Sequence, residues 1–123
     1  MGNSIYHVEK QEGFAIMTLM LDTILLDDNE QLKEAFTALL DEGNKNIILD
    51  LSKTTYISSI VLASFVFMLK RAKEAGGNLI LCSINDKVKE VLAMTNLDKV
   101  FDITTDRQEA INQLTKKYPQ SSK

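Results

Sequence analysis

Apolar positions along this chain change their spacing several times, and each change marks an element. Ser4–Lys10 mixes polar and apolar residues as an edge strand does, Gln11-Glu12-Gly13 is a turn, and Phe14–Leu21 is dense in large apolar groups, so the chain opens with a β-hairpin. Asp22–Leu26 is an irregular link that is unusually apolar for a loop at Ile24, Leu25 and Leu26. From Asp28 the period becomes helical: Leu32, Ala35, Phe36, Leu39 and Leu40 form one stripe, Asp28 with Gln31 resembles a capping box, and Gly43 is the stop. Asn46–Leu51 is a nearly continuous apolar run, expected of a central strand covered on both faces.

A second helix is predicted from about Ser59 to Ala75, ended by Gly76-Gly77, with Ser58 and Ser59 suited to cap its start. Asn78–Cys82 is the next buried strand. A helix capped by Asn85 or Asp86 follows, carrying Val88, Val91 and Leu92. Val100–Ile103 reads as a short strand. Thr105 with Gln108 opens a last helix that turns Ala110, Ile111 and Leu114 inward, and Pro119–Lys123 is a polar tail. Strands alternating with helices imply parallel crossovers, so the fold class is α/β: a mixed sheet of four or five strands with about four helices packed against it.

The second helix does not sort cleanly into two faces. With successive residues about 100° apart, Val61, Phe65, Met68, Leu69 and Ala72 gather on the side facing the sheet, opposite Ser64, Lys70, Arg71 and Glu74. Ile60, Ala63 and Phe67 nevertheless fall on the polar side. An apolar cluster rimmed by charge at the start of a helix is the signature of a partner-binding surface, unless another helix or a second copy covers it. Asp22, Asp27 and Asp28 flank the loop before the first helix; they are caps and solvated charges, or a polar rim beside Ser59 if the strand ends bring the loops together.

Composition narrows the function classes. A chain of 123 residues fits one domain, and 45% hydrophobic with 25% charged residues is ordinary for a soluble globular protein. A formal net charge of -3 argues against nucleic acid as the partner, although Lys70, Arg71 and Lys73 make a small basic patch. Met1–Lys10 lacks an apolar signal core, and Ile60–Leu69, the longest apolar run, is about half the roughly 20 residues a membrane span needs. A cytoplasmic protein without direct membrane insertion is expected. The lone Cys82 reads as a buried small hydrophobe, and His7, the only histidine, lies in the edge strand. There is no Walker A sequence, no GxGxxG and no His or Cys pair with metal-ligand spacing, so no cofactor, metal or catalytic residue is assigned and the chain is read as a non-enzyme.

Several segments together resemble the STAS domain, and within it the free-standing bacterial anti-sigma factor antagonists. They are Asp50-Leu51-Ser52, Tyr56 before the serine turn, the long helix closed by Gly76-Gly77, the Leu79–Cys82 strand and Val91–Ile103. The resemblance covers about Ser4 to Leu114 and implies a STAS domain over residues 1–118 with a polar tail over 119–123. It also implies binding to an anti-sigma factor that is itself a serine kinase. The dephosphorylated antagonist binds that kinase and frees the sigma factor, phosphorylation breaks the complex, and a serine phosphatase resets the system.

In that family the turn reads Asp-Ser-Ser/Ala-Gly-Leu. Laid on this chain, its aspartate falls on Ser58, its phospho-acceptor on Ser59 and its glycine on Val61, so two positions depart from the pattern. The family's acid in the stretch after the second strand is also replaced, by Leu25. The resemblance therefore implies phosphorylation at Ser59, with Ser58 as second candidate. It implies partner binding through Asp27, Asp28, Tyr56, Ile60, Ala63, Ser64 and Phe67, by a monomer or weak dimer. The alternative it leaves open is an accessory subunit, not phosphorylated, of a lipid-transport ATPase or a stress-signalling assembly.

Overall fold

The computed structural model describes residues 5–117. Five strands, β1 (Tyr6–Gln11), β2 (Phe14–Leu19), β3 (Asn46–Asp50), β4 (Asn78–Cys82) and β5 (Asp102–Thr104), lie side by side in chain order. β1 runs antiparallel to β2, and the other three pairings are parallel. The helices are α1 (Leu26–Asp41), α2 (Ser59–Glu74), α3 (Asp86–Met94) and α4 (Arg107–Lys117), with one 3-10 turn at Leu97–Lys99. The expected α/β class, mixed sheet and order of elements are all present.

Parallel neighbours in chain order require crossovers of one hand that step in one direction, which places the connecting helices on one face of the sheet. On that face Met17, Leu19, Ile47, Leu49, Leu79 and Leu81 pack with Leu32, Phe36, Phe65, Met68 and Leu92. The opposite face is closed by α4, whose Ala110 and Leu114 cover Ile16, Ile48, Ile80 and Cys82. Alternate residues of β3 and β4 thus enter different cores, which is why both strands read as unbroken apolar runs.

β1 extends through Gln11 and β2 stops at Leu19, two residues short of expectation, and three further departures have a visible cause. α1 starts at Leu26, so Asp28 is its third residue, and the Asp28 carboxylate accepts the Leu25 N–H at 3.0 Å in place of the expected pairing with Gln31. β5 begins two residues later than expected because the chain after Asn96 first makes the 3-10 turn, with the Val100 and Phe101 amides both donating to the Leu97 carbonyl. Asp106, not Thr105, accepts the bond that caps α4, from Glu109 N–H at 2.9 Å. The expected tail at 119–123 lies outside the described residues.

Candidate functional site

β2, β3 and β4 are parallel, so the loops leaving them meet at one edge of the sheet. There they are stitched together. Thr54 Oγ1 donates to the Leu21 carbonyl at 2.8 Å, and the Thr55 and Tyr56 amides both donate to the Asp22 carbonyl at 2.8 and 3.3 Å. The Thr55 hydroxyl also donates to the Asp22 carboxylate. From the third loop, Asn85 Nδ2 reaches the Thr54 and Thr55 carbonyls at 3.4 and 3.0 Å, while its Oδ1 accepts the Val88 N–H and caps α3. Buried Thr54 and Ile57 complete the anchoring, so the segment that carries the serines has a defined shape.

The two serines have different jobs. Ser58 is extended, and its Oγ accepts the Val61 N–H at 3.3 Å, making it the N-cap of α2. Ser59 is the first helical residue; it is exposed, and among the described residues its hydroxyl makes no hydrogen bond. Large apolar groups are left in water on the two segments that meet here: Tyr56 is 50% exposed, Ile60 57%, and Leu25, two residues beyond the Thr23–Tyr56 bridge, 65%. Ala63 is exposed one turn on from Ile60.

Phe67, 38% exposed, continues this stripe into the groove between α1 and α2. Lys33 Nζ lies 5.2 Å and the Arg71 guanidinium 5.7 Å from its ring centroid, within cation–π range. Glu30, Glu34 and Ala38 line the same groove, of about 370 Å³.

Ser64 does not share this surface. It is buried, contrary to its expected place on the water-facing side: it stands one turn before buried Met68, about 40° from it around the axis, at the border of the arc that α2 turns inward. Asp27 is exposed and Asp28 half-buried in the first turn of α1, where negative charge suits the helix dipole. The loop before α1 is bonded to the serine-bearing segment through Asp22.

The sequence reading assigned no role to Arg107. It donates from Nε and Nη2 to Asp50 Oδ2 at 3.1 and 2.8 Å, from Nη1 to Glu9 Oε2 at 3.0 Å, and from Nη2 to Thr18 Oγ1 at 3.0 Å. Asp50 is buried. Burial pushes its carboxyl pKa up, but the Ser52 N–H and the Arg107 guanidinium outweigh that and hold it below the usual 3.8. The same contacts with Asp50 and Glu9 raise the pKa of Arg107. An acid ending an apolar strand run was the one visible signal, since a buried carboxylate needs a cation. Burial, with the Asp50 charge nearby, pushes the Cys82 thiol up to about 11, consistent with a small buried hydrophobe. No helix among the described residues is long and apolar enough to cross a membrane.

Fold and corner together define an α/β domain whose parallel strands deliver a hydroxyl-bearing helix start and an apolar rim to one edge of the sheet. The chain belongs to the STAS domain family, whose model matches residues 6–110. It is 31% identical over 103 residues to BtrV of Bordetella bronchiseptica, named as a candidate anti-sigma factor antagonist, covering 84% of this chain and 88% of that one. A Thermotoga maritima protein with the same type of name is 33% identical over 105 residues, covering 78% of this chain and 93% of its own. A crystal structure of a T. maritima protein so described superposes with a TM-score of 0.78 at 30% identity, covering 89% of this chain and 93% of the other.

Proposed function

We propose that this chain is a cytoplasmic anti-sigma factor antagonist that acts by binding, without catalysis of its own. It docks on an anti-sigma factor serine kinase through the corner formed by Tyr56, Ser59, Ile60, Ala63 and Phe67, with Asp27 and Asp28 at its rim, and so releases the sigma factor. Phosphorylation of Ser59 by that kinase ends the complex, and a serine phosphatase restores it. The observation that carries the reading is the exposed, unbonded hydroxyl of Ser59 on the first turn of α2, set among large apolar side chains left in water.

The physical chemistry supports both halves of the switch. A phosphate at a helix N-terminus faces free amides and the positive end of the dipole, so the fold tolerates it. The same group adds about −1.5 to −2 charges, and pressing it into an apolar contact around Ile60 and Tyr56 desolvates it. A penalty of about 2 kcal/mol or more corresponds to roughly thirtyfold weaker binding.

Both departures from the family turn are mild in this structure. Ser58 performs the N-cap role that an aspartate also performs. Val61 is buried in the core, so its methyl groups do not stand in a partner's path.

The test is to incubate the chain with its cognate anti-sigma factor kinase and ATP and measure intact mass. One added phosphate on the wild type and none on Ser59→Ala is expected. Stable binding without any added phosphate would reject the switch and favour the reading as an unphosphorylated accessory subunit, for which the missing carboxylate at Ser58 speaks.

A further inference from the structure

We propose that Arg107 is a positioning residue for the Leu51–Ser58 segment and acts on it through Asp50. The two carboxylate oxygens of Asp50 have separate tasks. Oδ1 accepts the Ser52 N–H at 2.9 Å and turns the chain back at the end of β3, while Oδ2 takes both bonds from Arg107. Arg107 is the first residue of α4, on the face of the sheet opposite α1 and α2. Its remaining bonds, to Glu9 of β1 and Thr18 of β2, hold the guanidinium across three strands, and Thr18 pairs directly with Asp50 in the sheet register.

Without the guanidinium, Asp50 would be a desolvated charge with no cation beside it. Such a carboxylate turns toward water, and turning carries Oδ1 off the Ser52 amide. The next anchors follow in sequence: Thr54 N–H to Leu51, Thr54 Oγ1 to Leu21, then Thr55 and Tyr56 to Asp22. They lie downstream of the reversal that Asp50 starts, in a segment otherwise held by the Leu51 N–H on the Cys82 carbonyl and by Asn85. A helix on one face of the sheet thereby sets the shape of the serine-bearing corner carried at its edge. The consequence for partner binding rests on the docking function proposed above; the effect on the segment itself does not.

Native-state amide hydrogen exchange on the full chain tests this without any partner, so its failure is distinct from failure of the docking reading. The central strand β4 (Leu79–Cys82) reports global opening. Relative to β4, Arg107→Gln should accelerate exchange at the Ser52 and Thr54 amides at least tenfold. Arg107→Lys, which keeps the charge but loses the planar fork, should give an intermediate acceleration. Leu114→Ala, which loosens α4 through its apolar contacts only, should give no excess at Ser52 and Thr54. Acceleration at those amides no greater than at β4 in Arg107→Gln would overturn the proposal, as would an equal excess in Leu114→Ala. If Arg107→Gln does not fold, Arg107→Lys decides alone: an excess of at least threefold supports the coupling, and none refutes it.

Discussion

Gly76 and Gly77 are adjacent, both end α2, and the same substitution at each should have different consequences. Gly76 has φ +90°, in the left-handed region, and a Cβ there would meet only Lys45 Nζ at 3.8 Å. Alanine at Gly76 therefore carries backbone strain of about 1–2 kcal/mol, offset by about 0.5 kcal/mol from a less flexible unfolded chain. Gly77 has ordinary backbone, but a Cβ there would lie 1.9 Å from the Lys45 carbonyl oxygen, 2.4 Å from its carbon and 2.8 Å from Lys45 Cβ. Two of these are backbone atoms, so no rotamer relieves the clash and the chain must part where Asn78 N–H donates to the Lys45 carbonyl at 3.1 Å. That bond leads into the Asn46–Asn78 pairing of β3 and β4. Overpacking at about 1–3 kcal/mol and a broken buried backbone bond at about 1–3 kcal/mol give a loss of about 2–6 kcal/mol, centred near 4 kcal/mol. With an unfolding entropy of about 260 cal/mol/K for a chain this size, the central values lower Tm by about 15 °C for Gly77→Ala and by about 4 °C for Gly76→Ala. Calorimetric or circular-dichroism melts of the two variants measure this directly. Melting points within about 3 °C of each other would refute the close approach at Lys45.

Complete burial of an isoleucine side chain is worth about 1.5–3 kcal/mol, so the 57% of Ile60 left in water can contribute about 1–1.5 kcal/mol to a complex. Ile60→Ala should weaken binding to the proposed anti-sigma factor partner by roughly five- to twelvefold in Kd by titration calorimetry, and unchanged affinity would remove Ile60 from the interface. Phe67→Ala, at a ring less exposed and flanked by Lys33 and Arg71, should weaken it by a smaller factor in the same assay. The pKa of Asp50 is lower folded than unfolded, so its contribution is fully present above about pH 4 and is lost as pH falls through the folded value. Asp50→Asn should therefore flatten the acid limb of a stability–pH curve obtained by urea unfolding, whereas a limb parallel to wild type would contradict the buried ion pair. With its pKa near 11, Cys82 should react with a thiol reagent at pH 8 far more slowly in the native state than after denaturation. Prompt native labelling would show that the α4 face is open.

Much of the corner was legible in the chain because its causes are local. An N-cap needs a hydroxyl or carboxylate next to a helix start, so Ser58 could be placed from its neighbours, and exposure of Ile60 and Phe67 followed from helical phase alone. Ser64 was misplaced although phase borders it on the core: at about 100° per residue it lies only about 40° from Met68, and both are buried. Leu25 stood out as apolar in a loop, but only the fold shows it in water, two residues beyond the bridge that joins Thr23 to Tyr56.

The order of strands and helices, their approximate limits and the two-sided burial of β3 and β4 were determined by the sequence by itself, because hydrophobic period and capping chemistry act over a few residues. Tertiary structure alone decided that Arg107 clasps Asp50 across 57 positions, that Gly77 is pressed against Lys45, and that three loops are knotted through Asp22, Thr54 and Asn85. These contacts join residues far apart in the chain. Their geometry comes from strand register and helix placement, which no local pattern encodes.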